Sequence, residues 1–188
     1  GRYGNATALT ASGECTACPS ASSSASGSNE LRHCLCSAGY YDVDGSDVNP
    51  NVTCGACSAG YYSGSTGRVR HDQCISCPLG QYGNLEARTQ VSQCINCAEG
   101  RYSETAAISA ADQCELCPPN SNTLAAGASS PSMCLCDIGY TGTVVLAMPG
   151  ECVACTANRY KSERGTALCS ECPAHSGTYD VGDCAALG

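Results

Sequence analysis

Nineteen of the 188 residues are cysteines, and eighteen of them stand in closely spaced doublets. Closely spaced cysteines can hold a zinc ion as thiolates, exchange disulfides as a redox pair, or form structural disulfides. The doublets have the form C-x-x-C or C-x-C, and Cys184 alone has no close neighbour. The C-x-x-C doublets are Cys15/Cys18, Cys54/Cys57, Cys74/Cys77, Cys94/Cys97, Cys114/Cys117, Cys152/Cys155 and Cys169/Cys172, and the C-x-C doublets are Cys34/Cys36 and Cys134/Cys136.

Zinc is the main competing chemistry, because two successive doublets separated by 16 residues, as at Cys57 and Cys74, fall inside the spacing range of a zinc ribbon. A ribbon takes two doublets per ion, whereas here one doublet follows another without a break. Zinc binding would leave Cys15 or Cys184 without a role. A redox role requires one distinguished pair in a βαβ unit, and no doublet stands out. We therefore expect structural disulfides, with no metal and no cofactor.

The composition shows why disulfides are needed. The chain has no Phe and no Trp, its formal net charge is −8, and Lys161 is its single lysine. Such a sequence cannot build a conventional apolar core, and without covalent links its composition would predict a disordered chain. The acidic balance argues against nucleic acid as a partner. The longest apolar run, Val144 to Met148, is far too short to cross a bilayer. We expect no direct membrane insertion in this segment.

A short motif recurs after the second cysteine of most doublets. It reads C-x-x-G-x-Y, as in Cys57-Ser-Ala-Gly-Tyr-Tyr62 and Cys77-Pro-Leu-Gly-Gln-Tyr82. The glycine is suited to a turn with positive φ, and the tyrosine can cover a disulfide with its ring while its hydroxyl stays in water. The loops that follow Cys18, Cys117 and Cys172 lack the glycine and depart from this pattern.

The doublets recur with a near-constant step, which is 20 residues from Cys34 through Cys134. This repeat predicts a disulfide-rich chain of tandem loops, each tied only to its neighbours and stacked as an elongated rod with minimal β structure. The expected segments are the end of a truncated repeat at 1–15, followed by repeats at 16–35, 36–55, 56–75, 76–95, 96–115, 116–135, 136–153, 154–170 and 171–188.

The motifs C-x-x-C-P-x-G-x-Y and C-x-C-x-x-G-Y resemble the ephrin-receptor-like cysteine-rich repeats, which are relatives of the first half of tumour-necrosis-factor-receptor modules. In that family the second cysteine of one doublet pairs with the first cysteine of the next. Carried over to this chain, the resemblance implies the disulfides Cys18–Cys34, Cys36–Cys54, Cys57–Cys74, Cys77–Cys94, Cys97–Cys114, Cys117–Cys134, Cys136–Cys152, Cys155–Cys169 and Cys172–Cys184.

The implied pairing leaves Cys15 without a partner. Gly1-Arg2-Tyr3 matches Gly100-Arg101-Tyr102, whose cysteine lies three residues before Gly100. By the same spacing we expect the partner of Cys15 to lie three residues before Gly1, so that the odd cysteine reflects truncation rather than a reactive thiol.

Few residues outside the doublets have a pattern that indicates a site. The histidines, His33, His71 and His175, are scattered singly, so we expect no catalytic residue and no enzyme. Two glycosylation sequons begin at Asn5 and Asn51 and agree with passage through a secretory pathway.

One acidic stretch is a weak candidate for calcium. It carries four oxygen-bearing side chains around Gly45 but lacks the distal glutamate of an EF-hand, so a solvated loop tip is the favoured interpretation. The four residues are Asp42, Asp44, Asp47 and Asn49. Arg68 and Arg70, in the next loop, are likewise interpreted as solvated.

Two functions follow from the resemblance. The first is a structural spacer of a large extracellular or cell-surface glycoprotein, since similar repeats occur in long surface proteins of flagellated protists, including flagellar hairs (mastigonemes). Its partners would be other extracellular glycoproteins, further copies of itself, or glycans. The alternative is the ectodomain of a receptor that binds a protein ligand, which requires an exposed hot spot in one loop.

Secondary structure should be sparse. We expect β pairings of two to four residues, little helix beyond a turn in the alanine-rich stretch Ala106 to Ala111, and less than a quarter of the residues in regular elements.

The disulfide assignment can be checked by mass mapping of non-reduced peptides, together with thiol titration and elemental analysis. We expect the nine serial pairs, one titratable thiol per chain at Cys15, and no stoichiometric zinc. Crossed pairs, such as Cys54 with Cys74, would contradict the assignment, and several free thiols accompanied by zinc would favour the metal alternative.

Overall fold

The structure is a computed structural model that describes residues 1–4, 12–44, 51–67, 70–142, 151–174, 176–180 and 183–186. The contacts divide the chain into two units, one formed by Gly1–Cys77 with Gly83–Cys94 and the other by Pro78–Tyr82 with Ile95–Gly188. We call the segment closed by one disulfide a module; the module of Cys77–Cys94 is divided between the two units.

A short antiparallel hairpin lies next to each disulfide, with its first strand inside the module and its second strand at or directly after the closing cysteine. In one module Tyr61–Tyr62 pairs with Ile75–Ser76, the two residues that follow Cys74. The ladder is limited to this length because the C-x-x-G turn precedes the first strand and the next cysteine follows the second. Two-residue ladders are not stable alone in water, so the adjacent disulfide must hold the strands together.

The described residues of the first unit form four such pairs. They are β1 (Arg2–Tyr3) with β2 (Thr16–Ala17), β3 (Ser22–Ser23) with β4 (Leu35–Cys36), β5 (Tyr40–Asp42) with β6 (Cys54–Ala56), and β7 (Tyr61–Tyr62) with β8 (Ile75–Ser76).

The second unit forms six pairs within its described part. They are β9 (Gln81–Tyr82) with β10 (Ile95–Asn96), β11 (Arg101–Tyr102) with β12 (Glu115–Leu116), β13 (Ser121–Asn122) with β14 (Leu135–Cys136), β15 (Tyr140–Thr141) with β16 (Val153–Ala154), β17 (Arg159–Tyr160) with β18 (Ser170–Glu171), and β19 (Ser176–Asp180) with β20 (Asp183–Ala186).

A single 3₁₀ turn precedes the first cysteine of several doublets. In three of them a glutamine directly before the cysteine caps the turn: the Gln93 Oε1 accepts the backbone N–H groups of Thr89 and Gln90 at 2.7 and 3.0 Å. Gln73 and Gln113 act in the same way. The described 3₁₀ helices are Ser12–Glu14, Leu31–His33, His71–Gln73, Val91–Gln93, Ala111–Gln113 and Pro131–Met133.

The fold class predicted from the sequence is confirmed: it is a disulfide-rich repeat with minimal β structure and no α-helix in the described ranges. The expected lengths hold for every described strand except β19, which has five residues. The expectation of less than a quarter in regular elements is wrong, because the short strands alone exceed a quarter of the described residues and the recurring 3₁₀ turns add to them.

The glycine of the C-x-x-G motif has the predicted left-handed conformation, with φ of +84° at Gly39 and +73° at Gly80. The loops without glycine keep the same turn, since φ is +58° at Ala21 and +60° at Asn120. The departure expected for these two loops is therefore a change of residue and not of backbone. The loop that follows Cys172 has His175 at this position, which lies outside the described residues. The loop that follows Cys155 also lacks the glycine and keeps the turn, with a φ of +63° at Asn158.

Backbone hydrogen bonds join each module to the next. The N–H of Gly60 donates to the carbonyl of Gly83 at 2.8 Å, and Gly80 donates in the same way to Ser103 at 2.9 Å. A parallel bridge accompanies each contact, between Tyr62 and Arg88 in the first unit and between Tyr82 and Ile108 in the second. The stacking is thus carried mainly by backbone groups whose positions repeat with the cysteines.

Contacts also reach the second neighbour, which corrects the expectation that each loop is tied only to adjacent loops. A Cβ atom at Gly39 would lie 2.3 Å from the carbonyl oxygen of Ala87, two modules later. A Cβ atom at Gly80 would lie at the same distance from the carbonyl oxygen of Gly127. Glycine is therefore required at these two positions by close packing as well as by φ.

The buried apolar residues are mainly half-cystines, many of which are at most 9% exposed. In the second unit Cys97, Cys114 and Ile108 form a cluster against which Tyr82 packs. In the first unit Tyr3 and Tyr40 pack against the cluster of Cys34, Cys36 and Val52. Tyrosine rings thus cover the disulfides while remaining partly exposed, as the motif predicts.

None of the helices found in the described part of the chain has the length and apolar character needed to cross a membrane.

The glycine requirement yields a test with two substitutions of opposite effect. Gly80→Ala should reduce the free energy of unfolding by about 2 kcal/mol or more, because a Cβ atom meets both the left-handed strain and the Gly127 carbonyl. Ala107→Gly should raise it by up to about 1 kcal/mol, because Ala107 has a φ of +61°. Denaturant unfolding with the disulfides intact measures both. Equal effects of the same sign would contradict the assignment.

Candidate functional site

The doublets are used for disulfides. In the described part of the chain nine disulfides are formed, with Cα–Cα distances from 5.4 to 5.9 Å, and they join the same pairs that the family pairing rule implies. Cys15 is free and half-buried. A sulfur in a disulfide is not available as a thiolate ligand for zinc.

Two of the four residues singled out for metal binding, Asp42 and Asp44, are described. Within the described ranges no group of three or more His, Cys, Asp or Glu side chains is arranged to hold an ion. Asp42 is 2% exposed, and its Oδ1 accepts the Asp44 N–H at 3.3 Å. Asp44 is exposed, whereas Asp47 and Asn49 lie outside the described residues.

The histidines and arginines considered as candidate site residues lie at the surface in the described part of the chain. His33 is exposed. His71 is exposed and packs edge to face against Tyr41, with ring centroids 4.8 Å apart. Arg70 forms an exposed ion pair with Asp72 at 3.6 Å. Arg68 and His175 lie outside the described part of the chain.

The sequon at Asn51 is described and the sequon at Asn5 is not. Asn51 and Thr53 are exposed, whereas Val52 between them is buried in the cluster with Cys34 and Cys36. This alternation anchors the segment through Val52 and leaves the acceptor asparagine on the surface.

Lys161 is the polar residue that the sequence analysis missed. The side chain is buried, with the residue 5% exposed, and the ammonium donates to the carbonyl oxygens of Cys136 at 3.1 Å and Tyr140 at 2.8 Å, and also to that of Gly165. Burial lowers the pKa of Lys161 from the usual 10.5, while the charge of Asp137 acts in the opposite direction. The one available signal was that the chain has a single lysine.

Arg164 connects three modules of the second unit. The Nε forms an ion pair with Asp137 Oδ1 at 2.9 Å, and the Nη1 donates to the carbonyl of Thr123 at 3.4 Å. Asp137 and Thr123 belong to the two modules that precede the module of Arg164. This side chain therefore provides a second-neighbour link in addition to the glycine contacts.

A second arginine position recurs beside the first cysteine of a doublet. The guanidinium Nη1 of Arg101 donates to the carbonyl of Cys114 at 2.7 Å, and Arg2 and Arg159 donate in the same way to Cys15 and Cys169. The signal in the sequence is the repeated Arg-Tyr pair. These arginines bond across the hairpin and hold the first cysteine of the doublet in place.

Tyr102 forms a further bond across its hairpin. Its hydroxyl donates to Glu115 Oε2 at 2.9 Å. Burial raises the pKa of Tyr102 above its usual 10.0, and the hydrogen bond and negative charge of Glu115 raise it further, as does the charge of Glu104. These polar groups bond strands and modules together.

Comparison with known families gives one match. Residues 142–184 match the family described as tyrosine-protein kinase ephrin type A/B receptor-like. The matched segment contains the disulfides Cys155–Cys169 and Cys172–Cys184, and the preceding modules repeat the same hairpin beside a serial disulfide. A comparison with curated proteins found no significant match.

The environment of Lys161 can be tested by NMR, because a lysine label reports on a single residue. We expect its Cε resonance to titrate below pH 10.5, and to titrate at still lower pH in Asp137→Asn, since the charge of Asp137 raises the pKa. In the unfolded chain Lys161 stays protonated to higher pH than in the folded chain. The contribution of Lys161 to the free energy of unfolding should therefore increase as the pH rises from the lowered pKa to 10.5.

The matched control for this titration is Glu171→Gln, which removes an equal charge from the exposed pair with Arg159. Cys15 is alkylated first, so that its thiolate does not exchange with the disulfides at alkaline pH. A pKa at or above 10.5 in the folded protein would contradict the buried position of the ammonium.

Proposed function

We propose that this chain, which carries an ephrin-receptor-like cysteine-rich repeat, is a structural spacer segment of a large extracellular or cell-surface glycoprotein. The serial disulfides and the family match indicate an extracellular domain. The spacer role is the more specific part of the proposal.

The observation that supports a spacer is the repetition of one backbone contact from module to module. The glycine of the C-x-x-G motif donates its N–H to the residue after the tyrosine of the next module, with distances of 2.7 Å from Gly39 to Ser63 and 2.9 Å from Gly139 to Lys161. A contact made by backbone atoms tolerates changes of side chain, so modules can be added without redesigning each junction.

The same reasoning extends to partners. We infer that the chain associates with other extracellular glycoproteins or with further copies of itself, and that it carries glycans, since Asn51 is exposed in its sequon. By analogy with similar repeats in surface proteins of flagellated protists, a filament of the mastigoneme type is a specific form of this role. We propose neither an enzymatic activity, nor a nucleic-acid partner, nor membrane insertion of this segment.

A receptor ectodomain is the second candidate, and exposed leucines favour it. Leu124 is 70% exposed and Leu168 is 79% exposed. Exposed large apolar side chains are the kind of residue that a protein ligand could bury. Under this alternative Leu124→Asp or Leu168→Asp should abolish binding of the ligand without affecting the disulfides.

Solution scattering of the isolated chain tests the spacer role. A compact chain of this length would have a radius of gyration of about 16 Å, and we expect at least roughly twice that value, because serial modules that bond to their neighbours extend the chain. The reduced and alkylated chain is the control, with about 46 Å expected for an unfolded polymer. A value near the compact figure would remove the main support for a spacer and favour a specific binding domain.

A further inference from the structure

The ammonium of Lys161 occupies a small cage of backbone carbonyls in the second unit. The cage is formed by the carbonyl oxygens of Cys136, Tyr140 and Gly165. The first two belong to one module and Gly165 to the next, so the ammonium bonds adjacent modules together. The structure thus shows a cation held where the carbonyls of successive modules converge.

The same backbone arrangement recurs in the first unit at Cys36, Tyr40 and Gly67. Gly67 forms an antiparallel bridge with Cys36 and donates its N–H to the Cys36 carbonyl at 2.9 Å. Gly165 and Cys136 form the same bridge, with a distance of 3.0 Å. We refer to the carbonyl groups of Cys36, Tyr40 and Gly67 as the first-unit cage.

The ladder positions of the two tyrosines also correspond. In the first unit the Cys57 N–H donates to Gly39 and the Val43 N–H donates to Thr53, so Tyr40 lies opposite Ala56 at a position without ladder hydrogen bonds. The carbonyl at such a position points away from the hairpin. Tyr140 is placed in the same way, opposite Ala154, and its carbonyl meets the ammonium of Lys161.

The side chains around the two cages differ in charge. Ser63 occupies the position that corresponds to Lys161 of the second unit. The backbone carbonyl of Ser63 accepts the N–H of Gly39, and that of Lys161 accepts the N–H of Gly139. A serine is too short to place a cation among the three carbonyls. Among the described residues, the first-unit cage therefore lacks the side-chain cation that the second unit supplies.

A buried carboxylate is present instead. Asp42 is the second residue after Tyr40 on the same strand and is 2% exposed, and glycine occupies the corresponding position 142. Asp42 thus carries a negative charge on the same strand as the outward-pointing carbonyl of Tyr40. Carboxylate and carbonyl oxygens are the ligands that hard cations prefer.

We propose that the first-unit cage, with the carboxylate of Asp42, binds a hard metal cation at the place that the ammonium of Lys161 fills in the second unit. Ca²⁺ and Na⁺ share the required chemistry, with water completing the coordination shell. This site differs from the acidic stretch found in the sequence, because most of its ligands are backbone carbonyls. The ion would join the module of Cys36–Cys54 to the module of Cys57–Cys74, and the proposal does not depend on the spacer function.

Calcium binding by the whole chain can be measured by calorimetry, and Tb³⁺ luminescence gives a second readout, since without tryptophan the nearby tyrosines are the sensitisers. We expect one saturable site. Ser63→Lys should weaken it at least about tenfold, because the new ammonium would occupy the cage. The matched control is Ser65→Lys, which adds the same charge at an exposed position of the same loop and should leave the affinity unchanged.

Asp42→Asn keeps the test decisive if the buried lysine prevents folding, since it should also weaken binding while the disulfides, checked by mass mapping, remain intact. Sodium relaxation measured by NMR in calcium-free buffer separates the two ions: a signal lost in Ser63→Lys supports the sodium form. The absence of saturable binding of either ion to the folded chain would overturn the proposal. Binding that is insensitive to Ser63→Lys but lost in Asp47→Asn would also overturn it and assign the ion to the acidic stretch.

Discussion

The closure of each module by one disulfide is the constraint on which the rest of the structure depends. The chain has no Phe and no Trp, and the interior is built mainly of half-cystines covered by tyrosine rings. Closing a loop of about 15 residues contributes roughly 3 kcal/mol in the chain-entropy model. Order is accordingly concentrated near the sulfurs: the hairpins flank the cysteines, and the 3₁₀ turns end directly before them. A two-residue ladder such as Tyr61–Tyr62 with Ile75–Ser76 exists because the bridge from Cys57 to Cys74 holds its strands together.

Stacking of modules follows from this closure through the backbone. Once a disulfide fixes the hairpin, the third residue after the second cysteine must take a left-handed conformation. The N–H of this residue then faces the next module, as the N–H of Gly60 faces the carbonyl of Gly83. The turn survives where glycine is absent, because Asn120 and Ala21 take the same conformation at a modest energetic cost. Glycine is indispensable only where another backbone approaches closely, as the Gly127 carbonyl approaches Gly80. Two separate requirements, conformation and space, thus act on one position of the repeat.

Much of this fold could be predicted from the sequence, because the cysteine spacing repeats and each motif residue has a local physical role. The glycine turn and the tyrosine cover of the disulfides depend on neighbours within a few residues along the chain or on the next doublet. The role of Lys161 could not be predicted, because its ligands are carbonyls as far as 25 residues away, at Cys136, and carbonyls leave no mark on the sequence. The contact between Gly39 and Ala87 is hidden for the same reason, since it depends on how far successive modules turn. The 3₁₀ turns are indicated in the sequence by the glutamine that precedes Cys74, Cys94 and Cys114. This recurring position is not revealed by composition alone.

In this repeat the backbone contacts are shared by the modules, whereas the side chains at equivalent positions differ. The backbone contact at positions 63, 83, 103 and 161 is the same, yet the side chains there are Ser, Gly, Ser and Lys. Because the scaffold is held by sulfurs and backbone groups, a substitution at this position changes local charge without changing the fold. The lysine brings its own cation to the carbonyls of Cys136 and Tyr140, and Asp137 and Arg164 balance the charge nearby. In the first unit the corresponding place has a serine, and a buried carboxylate lies at Asp42, on the strand that contains Tyr40. Function in such a chain is therefore to be sought in departures from the repeat, where a module carries a charge that its equivalents lack.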